Sequence, residues 1–348
     1  MAEIIIYGAY GYTGELIVKQ AIELGMKPLL SGRSESKLAA LAKVYNLPFK
    51  ACNLIPSELD ALLAGAKVVI HAAGPFIHTS KPMVEACIRN GVHYTDITGE
   101  IAVFQQAQTY DAQAKNKGVM LLPGTGFDVV PSDCLAAHLK SRMPDAQSLV
   151  MAFYSSGKSS RGTSLTVIEG MGNGGTIREN GALKSVPDAF DIQHFNFGGK
   201  NLTAVTIPWG DVFTAYFSTG IPNIRVYMAM PEKLAKGMKL GRYFSWFTGT
   251  EWFKERLRKK IRAGKPGPTD EERAKSFMHL TGFVTNAKGE KMTSSIRTPE
   301  GYTLTALTAV HIANEILKGH YKSGFQTPSL VFGKELIVGF SEKGFEDK

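Results

Sequence analysis

Cysteine is scarce: Cys52, Cys87 and Cys134 are the only three in 348 residues, an odd number with no Cys-x-x-Cys spacing. That pattern excludes a disulfide framework and a zinc site built on paired cysteines, and it fits a reducing compartment. No uninterrupted apolar run approaches the ~20 residues that a bilayer-crossing helix needs, which argues against an integral helical membrane protein. The segment Met1–Tyr7 lacks the basic start of a secretory leader and runs straight into glycines. It therefore reads as a first strand, and the expected location is cytoplasmic. A charge excess is also missing from most of the chain. The formal net charge is +9, but eleven Lys/Arg against three Glu fall within residues 232–265, so the remainder is near neutral. Nucleic acid is accordingly not an expected partner, since no recognised binding module carries the excess.

What is present is an ordinary globular composition, 44% hydrophobic and 20% charged, in a chain long enough for two domains. The first ~125 residues alternate short apolar runs with amphipathic, alanine-rich stretches. Strands are expected at 4–7, 28–31, 49–52, 68–71, 94–97 and 120–122, with helices near 13–24, 35–45, 57–64, 81–90 and 101–116. This rhythm predicts an α/β fold, a doubly wound parallel Rossmann sheet over residues 1–125. The texture then changes to longer β-branched and aromatic runs with glycine-rich turns. A separate α+β domain is expected over 126–298, with a more open antiparallel sheet. A helix is expected at 302–317, within a final segment 299–348.

The most informative motif is Gly8-Ala9-Tyr10-Gly11-Tyr12-Thr13-Gly14, a G-x-x-G-x-x-G loop between the first strand and the first helix. In that context the glycines permit a tight turn, a close backbone approach to a pyrophosphate and close helix packing, while the helix amides face the anion. About 20 residues on, where an acid would select NAD, the chain has Ser31-Gly32-Arg33-Ser34-Glu35-Ser36-Lys37. A guanidinium, a hydroxyl and an ammonium suit a 2′-phosphate, so NADP is the expected cofactor. Glu35 opposes that reading in part, although an acid at a helix start also complements the dipole. At the fourth strand end, His71-Ala72-Ala73-Gly74-Pro75-Phe76 leaves room for a nicotinamide riboside. His71 is either a general acid or a core histidine.

These segments, with Tyr94-Thr95-Asp96-Ile97-Thr98-Gly99-Glu100 and Gly126-Phe127-Asp128-Val129-Val130-Pro131-Ser132-Asp133, resemble the saccharopine dehydrogenase-like oxidoreductases, especially the branch containing trans-acting enoyl reductases. The resemblance implies that the 126–298 domain is an insertion for substrate or dimer contacts, that 299–348 returns to the first domain, and that Gly8, Gly11, Thr13, Gly14, Arg33, Ser34 and Lys37 hold the phosphates of NADP. It places Ala72, Ala73 and Gly74 at the nicotinamide half, with Tyr10, Tyr12 and Pro75 in the same cofactor-binding set. It names no substrate, because the basic residues that grip an amino-dicarboxylate in true saccharopine reductases have no clear counterparts here.

Hydride transfer to a C=O, C=N or polarised C=C needs a proton donor. Tyr94, Asp96, Glu100, Asp128 and Ser132 follow strand ends near the expected cleft. The catalytic candidates are Tyr94, Asp96 and Asp128, and the aspartates could equally serve loop amides. Ser159 to Thr163 and Gly170 to Thr176 with Arg178 read either as an anion-binding wall or as plain turns. Tyr154 and Lys158 match the Y-x-x-x-K dyad of short-chain reductases, but in a strand-like, serine- and glycine-containing context that denies them a common helical face. No metal is expected. Residues 240–262 combine Tyr243, Phe244, Trp246, Phe247, Trp252 and Phe253 with basic residues, the composition of a helix lying on a membrane surface or of an aromatic core edge. The expected function is NADPH-dependent reduction of a carbonyl, imine or enoyl compound, small or lipid-like, by a peripheral or cytoplasmic homodimer. The alternatives are a saccharopine-type amino-acid dehydrogenase and a non-catalytic NADP-binding partner or sensor.

Overall fold

A computed structural model describes residues 2–241 and 249–348. The chain divides into two compact units, one made of Met1–Val130 with Tyr302–Gly333, the other of Pro131–Gly301 with Lys334–Lys348.

The first unit follows the alternation read from the sequence. It runs β1 (Ile4–Tyr7), α1 (Tyr12–Glu23), β2 (Leu29–Gly32), α2 (Glu35–Tyr45), β3 (Phe49–Ala51), α3 (Pro56–Leu63), β4 (Val68–His71), α4 (Phe76–Asn90), β5 (His93–Asp96), α5 (Ile101–Thr109), α6 (Asp111–Asn116) and β6 (Met120–Leu122). The strands lie in the order β3-β2-β1-β4-β5-β6, all parallel. The side chains of β1, β4, β5 and β6 are buried on both faces, as near-continuous apolar strands require, whereas the edge strand β3 exposes Phe49 and Lys50. Ile5, Tyr7, Val69, Tyr94 and Leu121 pack with Leu59, Leu62 and Leu63 of α3 and Met83, Val84 and Cys87 of α4. The order reverses between β1 and β4, which opens a crevice at their carboxyl ends.

The second unit begins on α7 (Val130–Arg142) and β7 (Ser148–Ser155), then continues with α8 (Arg161–Gly170), β8 (Gly175–Glu179), β9 (Ala182–Val186), β10 (Ile192–Phe197), β11 (Lys200–Thr206), α9 (Asp211–Thr219) and β12 (Asn223–Ala229). After α10 (Glu232–Gly241) come α11 (Glu251–Arg262), α12 (Asp270–Ala274) and the hairpin β13 (Phe277–Thr285) and β14 (Lys291–Pro299). Its sheet runs β10-β11-β12-β7-β13-β14, with β8 and β9 attached beside β12. It is mixed and not purely antiparallel, because β12 pairs parallel to β7. The α8–β12 connection supplies the long crossover that a parallel pair needs. Phe195 and Phe197 of β10 pack on Val150, Ala152 and Tyr227, so the aromatic runs that marked this region form its core.

The chain then returns to the first unit through α13 (Gly301–Leu317), β15 (Gly324–Phe325) and α14 (Pro328–Phe332). β15 adds a seventh parallel strand beside β6. The return stops at Gly333, earlier than the expected 299–348 segment. Lys334–Lys348 clusters with the second unit because β16 (Glu346–Asp347) pairs with β14, and Asp347 accepts hydrogen bonds from His138, Arg142 and Ser294. No described helix is long and apolar enough to cross a membrane.

Candidate functional site

The site is built at the carboxyl ends of β1, β2, β4, β5 and β6, where the first unit's loops meet. Gly8 has φ +89°, and a Cβ there would lie 2.8 Å from the Ala72 carbonyl carbon, so the β1 loop passes directly against the β4 loop. A Cβ on Gly14 would come within 2.2 Å of the Gly8 oxygen, which restricts that position to glycine. Gly11, by contrast, faces only the Gly8 oxygen at 3.2 Å and caps α1, whose start receives no side-chain bond. Tyr12, Thr13 and Gly14 form the first turn, so their amides sit where a helix presents donors to an anion.

The β2 end supplies the second anion site. Gly8 and Ala9 amides both donate to the Ser31 carbonyl, tying the glycine loop to β2. Arg33 follows on the surface with no ion pair among the described residues; Ser34 caps α2 and Lys37 lies in its first turn. An uncapped helix start and an unpaired guanidinium are the donor set that a pyrophosphate and a 2′-phosphate require, so the residues present fit NADP.

The β4 and β5 loops are locked together by side chains. His71 is fully buried and its Nε2 meets Thr79 Oγ1 at 3.0 Å, while Thr79 donates to the carbonyls of Ala73 (2.7 Å) and Pro75 (3.2 Å). That arrangement makes Nε2 the protonated nitrogen, and burial holds the imidazole neutral, down to about 3. His71 is thus the core histidine of the two readings, one that shapes Ala73-Gly74-Pro75. Glu100 accepts from the amides of Phe76 (3.1 Å) and Ile77 (3.0 Å) and so closes the start of α4.

The three catalytic candidates separate cleanly. Asp96 is buried with both carboxylate oxygens committed: Tyr94 donates at 2.6 Å, and the amides of Thr98 and Gly124 at 3.0 and 2.8 Å. Burial raises its carboxyl to about 6 despite those bonds. Tyr94 is buried too, its phenol pushed up by desolvation and then by Asp96. This pair fastens the β5 end to the loop after β6, where Thr125 also bonds the Asp96 carbonyl. Asp128 differs. Its side chain is half-buried against Gly99 and has no hydrogen-bond partner among the described residues. Desolvation first, and the Glu100 carboxylate second, raise it to about 7.

Other sequence candidates serve as scaffold in the second unit. Ser132 donates to Asp211 at 2.7 Å. Ser160 caps α8, Arg161 donates to the Gly264 carbonyl, and Arg178 donates to Val212 and Gly181 while stacking 4.1 Å from Tyr216. Tyr154 lies on β7 and Lys158 pairs with Glu272, so they make no helical dyad. Of the aromatic set in 240–262, Tyr243, Phe244, Trp246 and Phe247 lie outside the described residues. No group of three potential metal ligands occurs among the described residues.

Residues 4–122 match the family model for the saccharopine dehydrogenase NADP binding domain. The human saccharopine dehydrogenase-like oxidoreductase is 25% identical over 203 residues, 51% of this chain and 47% of that one. A trans-acting enoyl reductase of Mycobacterium tuberculosis is 31% identical over 149 residues, 40% of this chain and 36% of that one. The match thus spans about half or less of these curated relatives. Apo saccharopine dehydrogenase (L-Glu forming) from Saccharomyces cerevisiae shares the fold across 100% of both chains, with a TM-score of 0.68 at 13% identity. Residues 4–122 thus carry the likeness to the saccharopine dehydrogenase NADP binding domain, and the whole chain shares the fold of the yeast enzyme.

Proposed function

We propose that the protein is an NADPH-dependent reductase of a carbonyl, imine or enoyl substrate, with Asp128 as its proton donor. The observation that carries this reading is the uncommitted Asp128 carboxyl, raised to about 7, beside loops whose other candidate acids are tied down. A group poised there is half protonated at neutral pH, the condition for efficient general acid chemistry. Bound NADPH supplies the hydride. The glycine loop, with Tyr12, Thr13 and Gly14 at the helix start, would bind the pyrophosphate. Arg33, Ser34 and Lys37 would hold the 2′-phosphate, while Ala72, Ala73, Gly74 and Pro75 would border the nicotinamide. The expected setting is a cytoplasmic homodimer.

The test begins with parallel titrations of NADPH and NADH, followed by NADPH consumption with enoyl thioesters, 2-oxo acids with an amine, and simple carbonyl compounds. Turnover that falls ~100-fold or more in Asp128→Asn, with unchanged NADPH affinity, supports the assignment. Turnover restricted to amino-dicarboxylate chemistry favours the amino-acid dehydrogenase, and tight binding without any turnover favours the sensor.

A second reading concerns where the protein works. The outer face of α11 presents Trp252, 65% exposed, with Arg256, Lys259, Lys260 and Arg262. The acids Glu251 and Glu255 pair with Arg258, which also binds Glu169 of α8, and Glu255 pairs with Arg262 as well. Such a face suits anionic lipid, and we assign a peripheral membrane contact to it.

A further inference from the structure

Tyr10 sits in the glycine loop, yet its side chain serves the neighbouring strand. Its hydroxyl accepts the Ser34 amide at 3.3 Å, across 24 residues of chain. The ring lies over Gly32, where φ is +155° and a Cβ would stand 2.7 Å from the tyrosine Cε1. The Lys37 ammonium also sits 5.5 Å from the ring centroid. Arg33 is therefore flanked on both sides in sequence by residues that Tyr10 touches, Gly32 and Ser34. The phenol's own proton has no acceptor among the described residues, and accepting an amide bond strengthens it as a donor.

We propose that Tyr10 is a specificity-determining residue for the 2′-phosphate. Its ring holds the Gly32-Arg33-Ser34 turn and its hydroxyl, fixed by the Ser34 amide, donates to the phosphate alongside Arg33 and Lys37. A glycine loop ordinarily serves the pyrophosphate, which NAD and NADP share. Here one of its side chains reads the group that distinguishes them. The inference rests on the NADP reading of the same loop.

The experiment compares the full-length protein with Tyr10→Phe, which keeps the ring and removes one hydroxyl, and with Tyr10→Leu, which removes both. Affinities for NADPH, NADH and 2′,5′-ADP are measured by nicotinamide fluorescence and calorimetry, with melting temperature as a control on folding. Tyr10→Phe should weaken NADPH and 2′,5′-ADP by about three- to tenfold and leave NADH within twofold. Tyr10→Leu should lose more of the preference. An unchanged NADPH:NADH ratio in Tyr10→Phe, against a wild type that does prefer NADPH, overturns the Tyr10 role alone. A wild type without that preference overturns the NADP reading before any variant is compared.

Discussion

At the scale of single residues, the site turns on two side chains with few obligations. Asp128 has no hydrogen bond among the described residues, and its raised carboxyl gives it a stability signature separate from the proposed proton transfer. Its folded value, about 7, lies above the unfolded 3.8. The folded state thus binds the extra proton between those values, and the associated stability is lost as pH rises through 7. Asp128→Asn removes the ionisation and should be more stable than wild type at pH 8, by about 1–2 kcal/mol after allowing for partial exposure. That gain should shrink steadily toward pH 4, as melting curves across pH will show; a constant difference would contradict the buried-charge argument. Arg33, exposed and without an ion pair among the described residues, invites the complementary test. Arg33→Asp should cost NADPH about 1.5–3 kcal/mol more than it costs NADH, read by competitive titration, whereas equal losses would remove the 2′-phosphate assignment.

At the scale of elements, Glu100 and Asp96 show how loops become a site. Glu100 joins the β5 end to the start of α4, and its charge is the second cause of the raised Asp128 carboxyl. Glu100→Gln should therefore lower the pH at which Asp128 titrates, visible in carboxyl resonances of the labelled protein, while costing about 1 kcal/mol of helix capping in chemical denaturation. No movement of the Asp128 titration would show that desolvation alone sets it. The elements of residues 4–122 were legible because apolar periodicity and glycine punctuation agree there, and the glycine loop between β1 and α1 was legible as a local motif. Glu100 was legible only as a strand-end acid, since its bond to Phe76 spans 24 residues. The Asp96 commitment to Gly124 spans 28, and nothing local signals it. In the second unit α8 escaped notice because Gly162, Gly170 and its β-branched residues are weak helix formers, stabilised here by the Ser160 cap. α9 hid behind a strand-like Val212-Phe213 run, whose helix ends at the left-handed Gly220 cap.

At the scale of the whole molecule, the charge excess of residues 232–265 is partly spent and partly free. Arg258 is consumed by Glu169, Glu251 and Glu255, whereas Arg256, Lys259 and Lys260 face outward. Replacing those three with glutamine should weaken binding to phosphatidylglycerol vesicles by about 3 kcal/mol, leaving weak binding to neutral phosphatidylcholine unchanged. Sedimentation with each vesicle will decide; equal binding of wild type to both would exclude an electrostatic contact. The connectivity has a separate consequence for dissection. Because α13 and β15 arrive after the whole second unit, a fragment ending at Val130 would bare the edge of β6 and strip Thr125 and Phe127 of their partners Thr308 and Thr305. The nucleotide domain is therefore a composite of distant gene segments, and a soluble version would need residues 302–333 grafted directly onto its cut end.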